Sequence, residues 1–282
     1  MRNFKSNSCI AGAALCSALF AVAGLAPVPF AAGVAMAQAP VQEDVWPGIR
    51  KELYAQRPIA EDDGVIALEA PVRAEDAAVV PITMRIPSSV AAQAKALTLV
   101  IEKNPAPIAA SFQFGPAAGN GERTISTRVR VDMYSNVRAI VELNDGSLHM
   151  VTKFVKAAGG CSAPALKDAA EALAELGKMK LRMHGANQSP MMQEAQVMIR
   201  HPNYSGMQMN QLTGLYIPAK YIESMQVKRG NEVIFTMEGG ISLSENPNIR
   251  FTYAPGADNE IAVTAKDTEG TEFTARLTPK GS

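Results

Sequence analysis

Short apolar-rich segments separated by turn residues recur along most of this 282-residue chain, and this rhythm constrains the fold more than any other feature. Between about residues 64 and 156, candidate strands such as 79–86 and 97–102 are followed by Pro, Gly or Asn. The segment 124–131 alternates polar and apolar residues, as a half-buried strand does. Asp145-Gly146 predicts a hairpin turn, because this dipeptide accepts positive φ. The spacing indicates an antiparallel sandwich rather than a parallel sheet with crossover helices.

The segment 162–177 has a different pattern and predicts a short helix that joins two β-rich halves. Ser162 is a suitable N-cap, Pro164 is tolerated in a first turn, and Gly177 is suited to a helix end. From residue 178 to 282 short strands and turns resume, which predicts a second sandwich. A further helix is expected over about residues 45–56. The sequence therefore predicts an all-β protein of two immunoglobulin-like sandwiches with a helical connector.

Residues 1–37 have the features of an export signal. Arg2 and Lys5 precede an apolar stretch from about residue 9 to 32, and the segment closes on Ala35-Met36-Ala37. A small-x-small triplet of this kind is a signal-peptidase site, so we expect cleavage before Gln38 and a periplasmic product without a membrane span. The alternative is a retained transmembrane anchor, since about 20 apolar residues can cross a bilayer.

Composition gives no indication of nucleic-acid binding. The chain has 27 basic and 27 acidic residues, and no block of Lys or Arg stands out. No phosphate-binding glycine loop or dinucleotide motif is present, so no cofactor is expected.

Cys161 is the leading candidate for chemistry. The chain has three cysteines, and the other two, Cys9 and Cys16, lie in the predicted signal. The mature protein would therefore carry one unpaired thiol into an oxidising compartment. Gly159 and Gly160 precede it and predict a flexible, open segment that exposes the sulfur. A helix beginning at residue 162 would favour the thiolate. The alternative is a buried structural cysteine.

The sequence does not assemble a catalytic site around this thiol. A nucleophilic cysteine needs a base, and His149, His184 and His201 are the only histidines, none with a recognisable spacing to Cys161. We therefore expect no autonomous enzyme. A periplasmic copper site is a weaker alternative, because thioethers bind Cu(I) and the second half is rich in methionine. Strand methionines more often fill core gaps, and no metal site is expected.

The order of motifs resembles the fused SoxYZ-like sulfur carriers associated with quinoprotein dehydrogenases. The resemblance extends from about residue 62 to 277. The first half resembles SoxY in the segments 79–82, 102–107, 126–130 and 159–161. The second half resembles SoxZ in the segments 199–202, 214–219, 241–247 and 267–270.

With the signal peptide predicted over 1–37 and the helical linker over 162–177, the resemblance implies a SoxY-like domain over 38–161 and a SoxZ-like domain over 178–282. It implies that Cys161 is the covalent attachment point for a sulfur intermediate, with Gly159 and Gly160 as flexible neighbours. The implied partners are periplasmic redox or sulfur-oxidising enzymes, including a quinoprotein dehydrogenase system. In SoxY the cysteine lies on a glycine-rich terminal arm, whereas here it is internal and Ser162-Ala163 follows it.

A non-covalent adaptor of a periplasmic quinoprotein dehydrogenase is the alternative from another class. In that case the exposed edges of the sandwiches would hold the partner and Cys161 would be incidental. Replacing Cys161 by Ser separates the two, because a carrier loses its activity and an adaptor keeps it.

Overall fold

The computed structural model of the protein describes residues 44–62, 64–164, 169–189 and 191–277. The predicted export signal lies outside these ranges. The elements, in chain order, are α1 (Trp46–Tyr54), β1 (Ile59–Glu61), β2 (Ala67–Glu69), β3 (Val80–Ile86), α2 (Ser88–Ala91), β4 (Ala94–Ile101), β5 (Ile108–Phe114), β6 (Arg123–Val129), β7 (Ser135–Leu143), β8 (Leu148–Val155), α3 (Ala169–Ala174), β9 (Met179–Ser189), β10 (Met192–Ile199), β11 (Ile222–Arg229), β12 (Glu232–Gly239), β13 (Asn248–Tyr253), β14 (Ile261–Asp267) and β15 (Glu272–Leu277).

The strands form two sheets, which confirms the all-β prediction. One sheet has the order β1-β8-β7-β4-β5-β12-β11-β14-β15 and the other the order β2-β3-β6-β13-β10-β9. Most neighbours are antiparallel, and β1 pairs with β8 in parallel. The predicted hairpin is confirmed, because β7 and β8 pair antiparallel on either side of the turn at 144–147.

Each sheet continues from the first half of the chain into the second, which the strand pattern did not predict. In the larger sheet β5 pairs with β12, and in the smaller sheet β6 pairs with β13. Phe112 of the first half packs edge-on against Phe235 at 5.6 Å between ring centroids, and Phe235 packs likewise against Phe251 at 5.1 Å. The two halves therefore share one hydrophobic core.

Alternation along the strands explains how the core forms. In β3, Val80, Ile82, Met84 and Ile86 are buried, while the residues between them face outward. Strand β7 is buried at nearly every position, because the helix α1 covers part of its second face. A smaller apolar cluster lies there, with Trp46 of α1 near the strands.

The helices agree with the sequence in part. The helix expected over 45–56 is confirmed as α1. The helix expected to begin at Ser162 is wrong at its start, because residues 161–164 form a turn and irregular chain and the helix α3 is described from Ala169. The Ser162 hydroxyl donates backwards to the carbonyl oxygen of Gly159 at 3.3 Å instead of capping a helix. Among the helices in the described ranges, none is both long and apolar enough to cross a membrane.

Candidate functional site

The loop that carries Cys161 follows β8 and folds back onto the chain just after β6. The amide of Gly159 donates to the carbonyl oxygen of Asp132 at 2.8 Å, and that of Gly160 donates to the carbonyl oxygen of Val131 at 3.1 Å. These two backbone hydrogen bonds hold the loop against residues 130–132. The loop is therefore an ordered connection with defined partners.

Gly159 and Gly160 have different structural roles. Gly159 has φ +80°, the left-handed region that glycine adopts without strain, and a Cβ there would meet no atom within 4 Å. Gly160 is buried, and a Cβ there would overlap the carbonyl oxygen of Ala77 and lie 2.7 Å from that of Val131. Gly160 is thus a close-packing position. That both glycines make the segment flexible stays a prediction.

Both halves of the chain hold the backbone of Cys161 and its neighbour. The Cys161 amide donates to Asp132 Oδ1 at 3.3 Å on the side of the first half. On the other side the Ser205 hydroxyl donates to the Cys161 carbonyl oxygen, and Gln208 Nε2 donates to the Ala163 carbonyl oxygen at 3.1 Å. Ser205 and Gln208 are themselves buried. The loop is therefore fastened at the junction of the two halves.

The thiol of Cys161 is enclosed in this arrangement. The residue is free, in no disulfide, and 0% exposed. The expectation of an exposed, ionised thiol is wrong for this conformation. Burial raises the pKa of the Cys161 thiol to about 12, the carboxylate of Asp132 adds to this rise, and Arg130 opposes it. At neutral pH the enclosed sulfur is a neutral thiol, protected from electrophiles and oxidants.

Arg130 is the charged side chain that the sequence did not single out. It lies just after β6 and is 1% exposed. Its Nη2 donates to the carbonyl oxygen of Asn203 at 3.0 Å, which links it to the second half. Burial lowers the pKa of Arg130; the thiolate form of Cys161, where it exists, and the carboxylates of Glu245 and Asp76 act in the opposite direction. Its position in a motif was visible in the sequence, but nothing there indicated that the charge would be buried.

A buried polar cluster extends from Arg130 into the second half. Asn203 Oδ1 lies 3.0 Å from Nδ1 of His201, and His201 Nε2 lies 3.5 Å from Oδ2 of Asp267. Lys220 Nζ lies 3.7 Å from the same carboxylate oxygen. Burial lowers the pKa of His201, so that the ring stays neutral at neutral pH. The cluster anchors the loop 201–208 that fastens Cys161.

The structure does not bring a histidine base to the thiol in the contacts of the described residues. His149, at the start of β8, has Nδ1 3.5 Å from Asp62 Oδ2, and His184 Nε2 on β9 lies 3.0 Å from Gln196 Oε1. His201 reaches the site only through Asn203. The described contacts therefore enclose the Cys161 thiol without pairing it with a histidine base.

Four of the nine methionines that raised the copper alternative are placed in the core or against it. Met225 and Met237 are buried in the paired strands β11 and β12. Met179 and Met183 of β9 pack against the main core. In the part of the chain that the structure describes, no group of three or more His, Cys, Asp or Glu side chains is placed to hold a metal ion.

Exposed apolar side chains follow the residues that fasten the loop. Met133 and Tyr134 come directly after Asp132 and are 54% and 43% exposed. On the other side, the turn after Gln208 exposes Leu212 at 96% and Tyr216 at 68%. These exposed apolar side chains lie close in sequence to the residues that fasten the loop and are available for contact with a partner protein.

Comparisons with known proteins agree with this architecture. The family model "Sulfur oxidation protein SoxY" matches residues 50–161, and "Sulphur oxidation protein SoxZ" matches residues 181–278. The SoxY match thus ends on Cys161. The comparison with curated proteins gives no match.

Two solved structures are among the matches. The sulfur carrier protein SoxY from Chlorobium limicola f thiosulfatophilum is 26% identical, with a TM-score of 0.34, over 40% of this chain and 94% of that chain. A β-glycosidase from Bacteroides vulgatus is 10% identical, with a TM-score of 0.24, over 77% of this chain and 25% of its own. The family of the chain follows from the two family models.

The matched families define the class: sulfur-oxidation proteins that act as carriers or adaptors rather than as catalysts. The order of the two matches in one polypeptide then gives the family. The chain belongs to the fused SoxYZ-like sulfur carriers, with a SoxY part followed by a SoxZ part.

Proposed function

We propose that this protein is a periplasmic carrier that holds a sulfur-containing intermediate as a covalent adduct on Cys161 and passes it between partner enzymes. The observation that carries the proposal is the end of the SoxY match on Cys161, in a loop fastened by both halves of the chain. Export by residues 1–37 would place the carrier in the periplasm.

The chemistry of loading needs no cofactor in the carrier. A donor persulfide R–S–S⁻ gives up its outer sulfur to the Cys161 thiolate. The new bond joins Cys161 Sγ to that sulfur, the donor's S–S bond breaks, and the donor leaves as R–S⁻ with the electron pair. The Cys161 thiol proton goes to solvent before attack. Oxidation states balance, so this step needs no external oxidant.

The enclosed thiol requires an opening step before loading. The loop is fastened mainly by hydrogen bonds at its backbone, and each contributes only about 0.5–1.5 kcal/mol net. Local opening of such a segment is less costly than global unfolding. The resting protein would thereby shield its thiol and expose it to a partner docked on the apolar side chains of 133–134 and 212–216.

The buried state of Cys161 is the observation that favours the second candidate, a non-covalent adaptor of a quinoprotein dehydrogenase. An adaptor needs no accessible sulfur, and the exposed apolar side chains would serve it equally well.

Replacement of Cys161 in the host separates the two candidates. Cys161→Ser and the control Ser162→Ala are introduced into the chromosomal gene, and oxidation of a reduced sulfur compound and of a quinoprotein substrate is measured. A carrier loses activity with Cys161→Ser only. Full activity of Cys161→Ser, with the protein present at its normal level, contradicts the carrier.

A further inference from the structure

An antiparallel hairpin, residues 204–220, extends from the second half of the chain. The Lys220 amide donates to the Tyr204 carbonyl oxygen at 3.0 Å and closes the base of the hairpin. At the tip the Gly214 amide donates to the Asn210 carbonyl oxygen at 2.8 Å, and Asn210 Oδ1 accepts the Leu212 amide at 2.9 Å. The backbone of the hairpin is therefore held by its own hydrogen bonds and presents its side chains from a defined frame.

The tip of this hairpin is apolar and exposed at consecutive positions. Residues 211–216 are all exposed, with Leu212 at 96%, Leu215 at 69% and Tyr216 at 68%, and Met209 just before them is 45% exposed. Apolar side chains that stay in water contribute no burial energy to the fold, and contiguous exposure of this kind marks interaction sites. The tip is therefore a surface for contact with another molecule.

The lack of charge in the hairpin defines the chemistry of its partner. Residues 202–219 include no Lys, Arg, Asp or Glu. Nζ of Lys220, the cation that follows, lies 2.6 Å from Glu269 Oε2 and 3.7 Å from Asp267 Oδ2. Segments that bind anionic membranes carry free basic residues beside their apolar side chains, whereas the neighbouring cation here is neutralised. An apolar cleft of a protein therefore fits this tip better than a lipid surface does.

Gln208 joins the hairpin to the segment that encloses Cys161. Its carbonyl oxygen accepts the Ile217 amide at 2.8 Å within the hairpin. Its side-chain Nε2 donates to the Ala163 carbonyl oxygen at 3.1 Å, and its Oε1 accepts the Ser205 amide at 3.1 Å. Ser205 in turn donates to the Cys161 carbonyl oxygen. A displacement of the hairpin therefore acts directly on the hydrogen bonds that fasten the thiol segment.

We propose that the 204–220 hairpin is the docking element for the enzymes that load and unload Cys161, and that its displacement on docking opens the enclosed loop. The inference rests on the proposed function and adds the element that a partner enzyme recognises. The partner offers an apolar cleft to the tip. Docking and opening are coupled through Gln208, so each favours the other by the same free energy. A thiol that opens only on the docked carrier stays protected from oxidants between partners.

A charge introduced at the tip tests the docking role. Leu212→Asp and, as a second variant, Leu215→Asp are placed in the chromosomal gene. Intact mass then gives the fraction of Cys161 with a reducible adduct during oxidation of a reduced sulfur compound. We expect this fraction and the oxidation rate to fall about 10-fold or more, as for the loss of a central anchor of an interface. The purified variants should keep the wild-type thermal midpoint and react with N-ethylmaleimide at the wild-type rate, because these exposed leucines do not hold the loop.

Leu173→Asp is the matched control, since this leucine of α3 is 61% exposed and lies outside the hairpin. It should load as wild type does. Equal loading of Leu212→Asp, Leu215→Asp and wild type overturns the docking role and leaves the carrier intact. A wild-type protein that carries no adduct overturns the carrier itself. Wild type that pellets with vesicles of phosphatidylcholine and phosphatidylglycerol, where Leu212→Asp does not, overturns the protein partner in favour of a membrane.

Hydrogen exchange tests the coupling in the purified full-length protein. N-ethylmaleimide adds to the Cys161 thiolate: the S–C bond forms, and the neighbouring carbon takes a proton from solvent. The product is larger than the enclosed thiol, so the loop has to open to hold it. Amides of 208–217 should then exchange about 5-fold faster or more, the loss expected for the two side-chain hydrogen bonds of Gln208. The turn at 144–147 should not change. Unchanged exchange over 208–217 in the adduct overturns the coupling.

Discussion

The Ser205 hydroxyl donates a hydrogen bond to the carbonyl oxygen of Cys161, across 44 residues of sequence and between the SoxY and SoxZ parts of one chain. This contact, with Gln208 on Ala163, makes the SoxZ part a participant in the enclosure of the thiol. In a fused chain both parts are always present together. The enclosed state is therefore available to every molecule without a partner subunit.

Loss of the Ser205 hydroxyl should make Cys161 more reactive. Ser205→Ala removes the hydrogen bond to Cys161 and also the acceptor of the Met207 amide at 3.2 Å. Loss of the first bond alone lowers the cost of opening by about 0.5–1.5 kcal/mol, so Ser205→Ala should react with iodoacetamide at least about 2- to 12-fold faster than wild type under native conditions. Ser147→Ala, in the exposed turn between β7 and β8, is the matched control and should not change the rate. A Ser205→Ala rate equal to wild type would show that this contact does not hold the loop.

Replacement of Gly159 and of Gly160 by Ala should raise the rate at which iodoacetamide alkylates Cys161 to different extents. Gly160→Ala introduces a Cβ that overlaps the Ala77 carbonyl oxygen, so the loop has to leave its position. Gly159→Ala meets no neighbour and bears only the cost of a left-handed residue, about 1–2 kcal/mol. We expect alkylation to be fastest in Gly160→Ala, intermediate in Gly159→Ala and slowest in wild type. The reverse order of the two variants would refute the packing role of Gly160.

The enclosed thiol should make stability fall at alkaline pH. The pKa of Cys161 is raised from the ordinary 9.0 to about 12 in the folded protein. Between these values the unfolded chain has lost the proton and the folded chain keeps it. The contribution of the buried thiol to the free energy of unfolding is thus complete below about pH 9, and it falls by up to about 1.4 kcal/mol per pH unit above that value.

Urea unfolding at pH 8 and pH 10.5, for wild type and Cys161→Ala, measures this slope. Tyr253, whose pKa burial raises to about 12, adds a similar slope to both proteins and cancels in the comparison. Wild type should lose more stability than Cys161→Ala over this interval. Parallel pH profiles would mean that the thiol is open to solvent in the folded state.

The buried pair of Glu102 and Arg138 should be a major stabilising contact under α1. Arg138 Nε lies 2.5 Å from Glu102 Oε1, and its guanidinium carbon lies 4.3 Å from the ring centroid of Trp46, the only tryptophan. Glu102→Ala leaves the buried Arg138 guanidinium only the longer contact with Glu61, at 3.9 Å, and should lower the free energy of unfolding by about 3 kcal/mol. Urea unfolding followed by Trp46 fluorescence measures this loss of unfolding free energy. Lys95→Ala breaks the exposed pair with Glu142 and should cost at most about 1 kcal/mol. An equal loss of unfolding free energy in Glu102→Ala and Lys95→Ala would contradict the expectation that the buried pair matters more than the exposed one.

The class of the fold followed from local patterns, since strand alternation and the turn Asp145-Gly146 depend on neighbouring residues. The pairing of β5 with β12 and of β6 with β13 joins residues more than 100 positions apart, and no local pattern encodes it. The prediction of two immunoglobulin-like sandwiches agrees with the two sheets, but it did not include the continuation of each sheet from one half into the other.

At the site, the sequence identified Cys161 but not its surroundings. Two glycines beside a cysteine suggest openness when nothing else is known, and here Gly160 instead permits close contact with Ala77. Enclosure of the thiol depends on Ser205 and Gln208, which lie more than 40 residues away. Arg130 resembles Arg128 in sequence, and only the end of β6 at Val129 separates the buried arginine from the exposed one.

The most direct measurement of the central claim is the intact mass of the protein isolated from its host during oxidation of a reduced sulfur compound, before and after reduction. A carrier should yield a fraction with a reducible sulfur adduct that peptide mapping assigns to Cys161 and that is absent from Cys161→Ser. A wild-type protein whose Cys161 is always the bare thiol, while oxidation proceeds at the full rate, would contradict it.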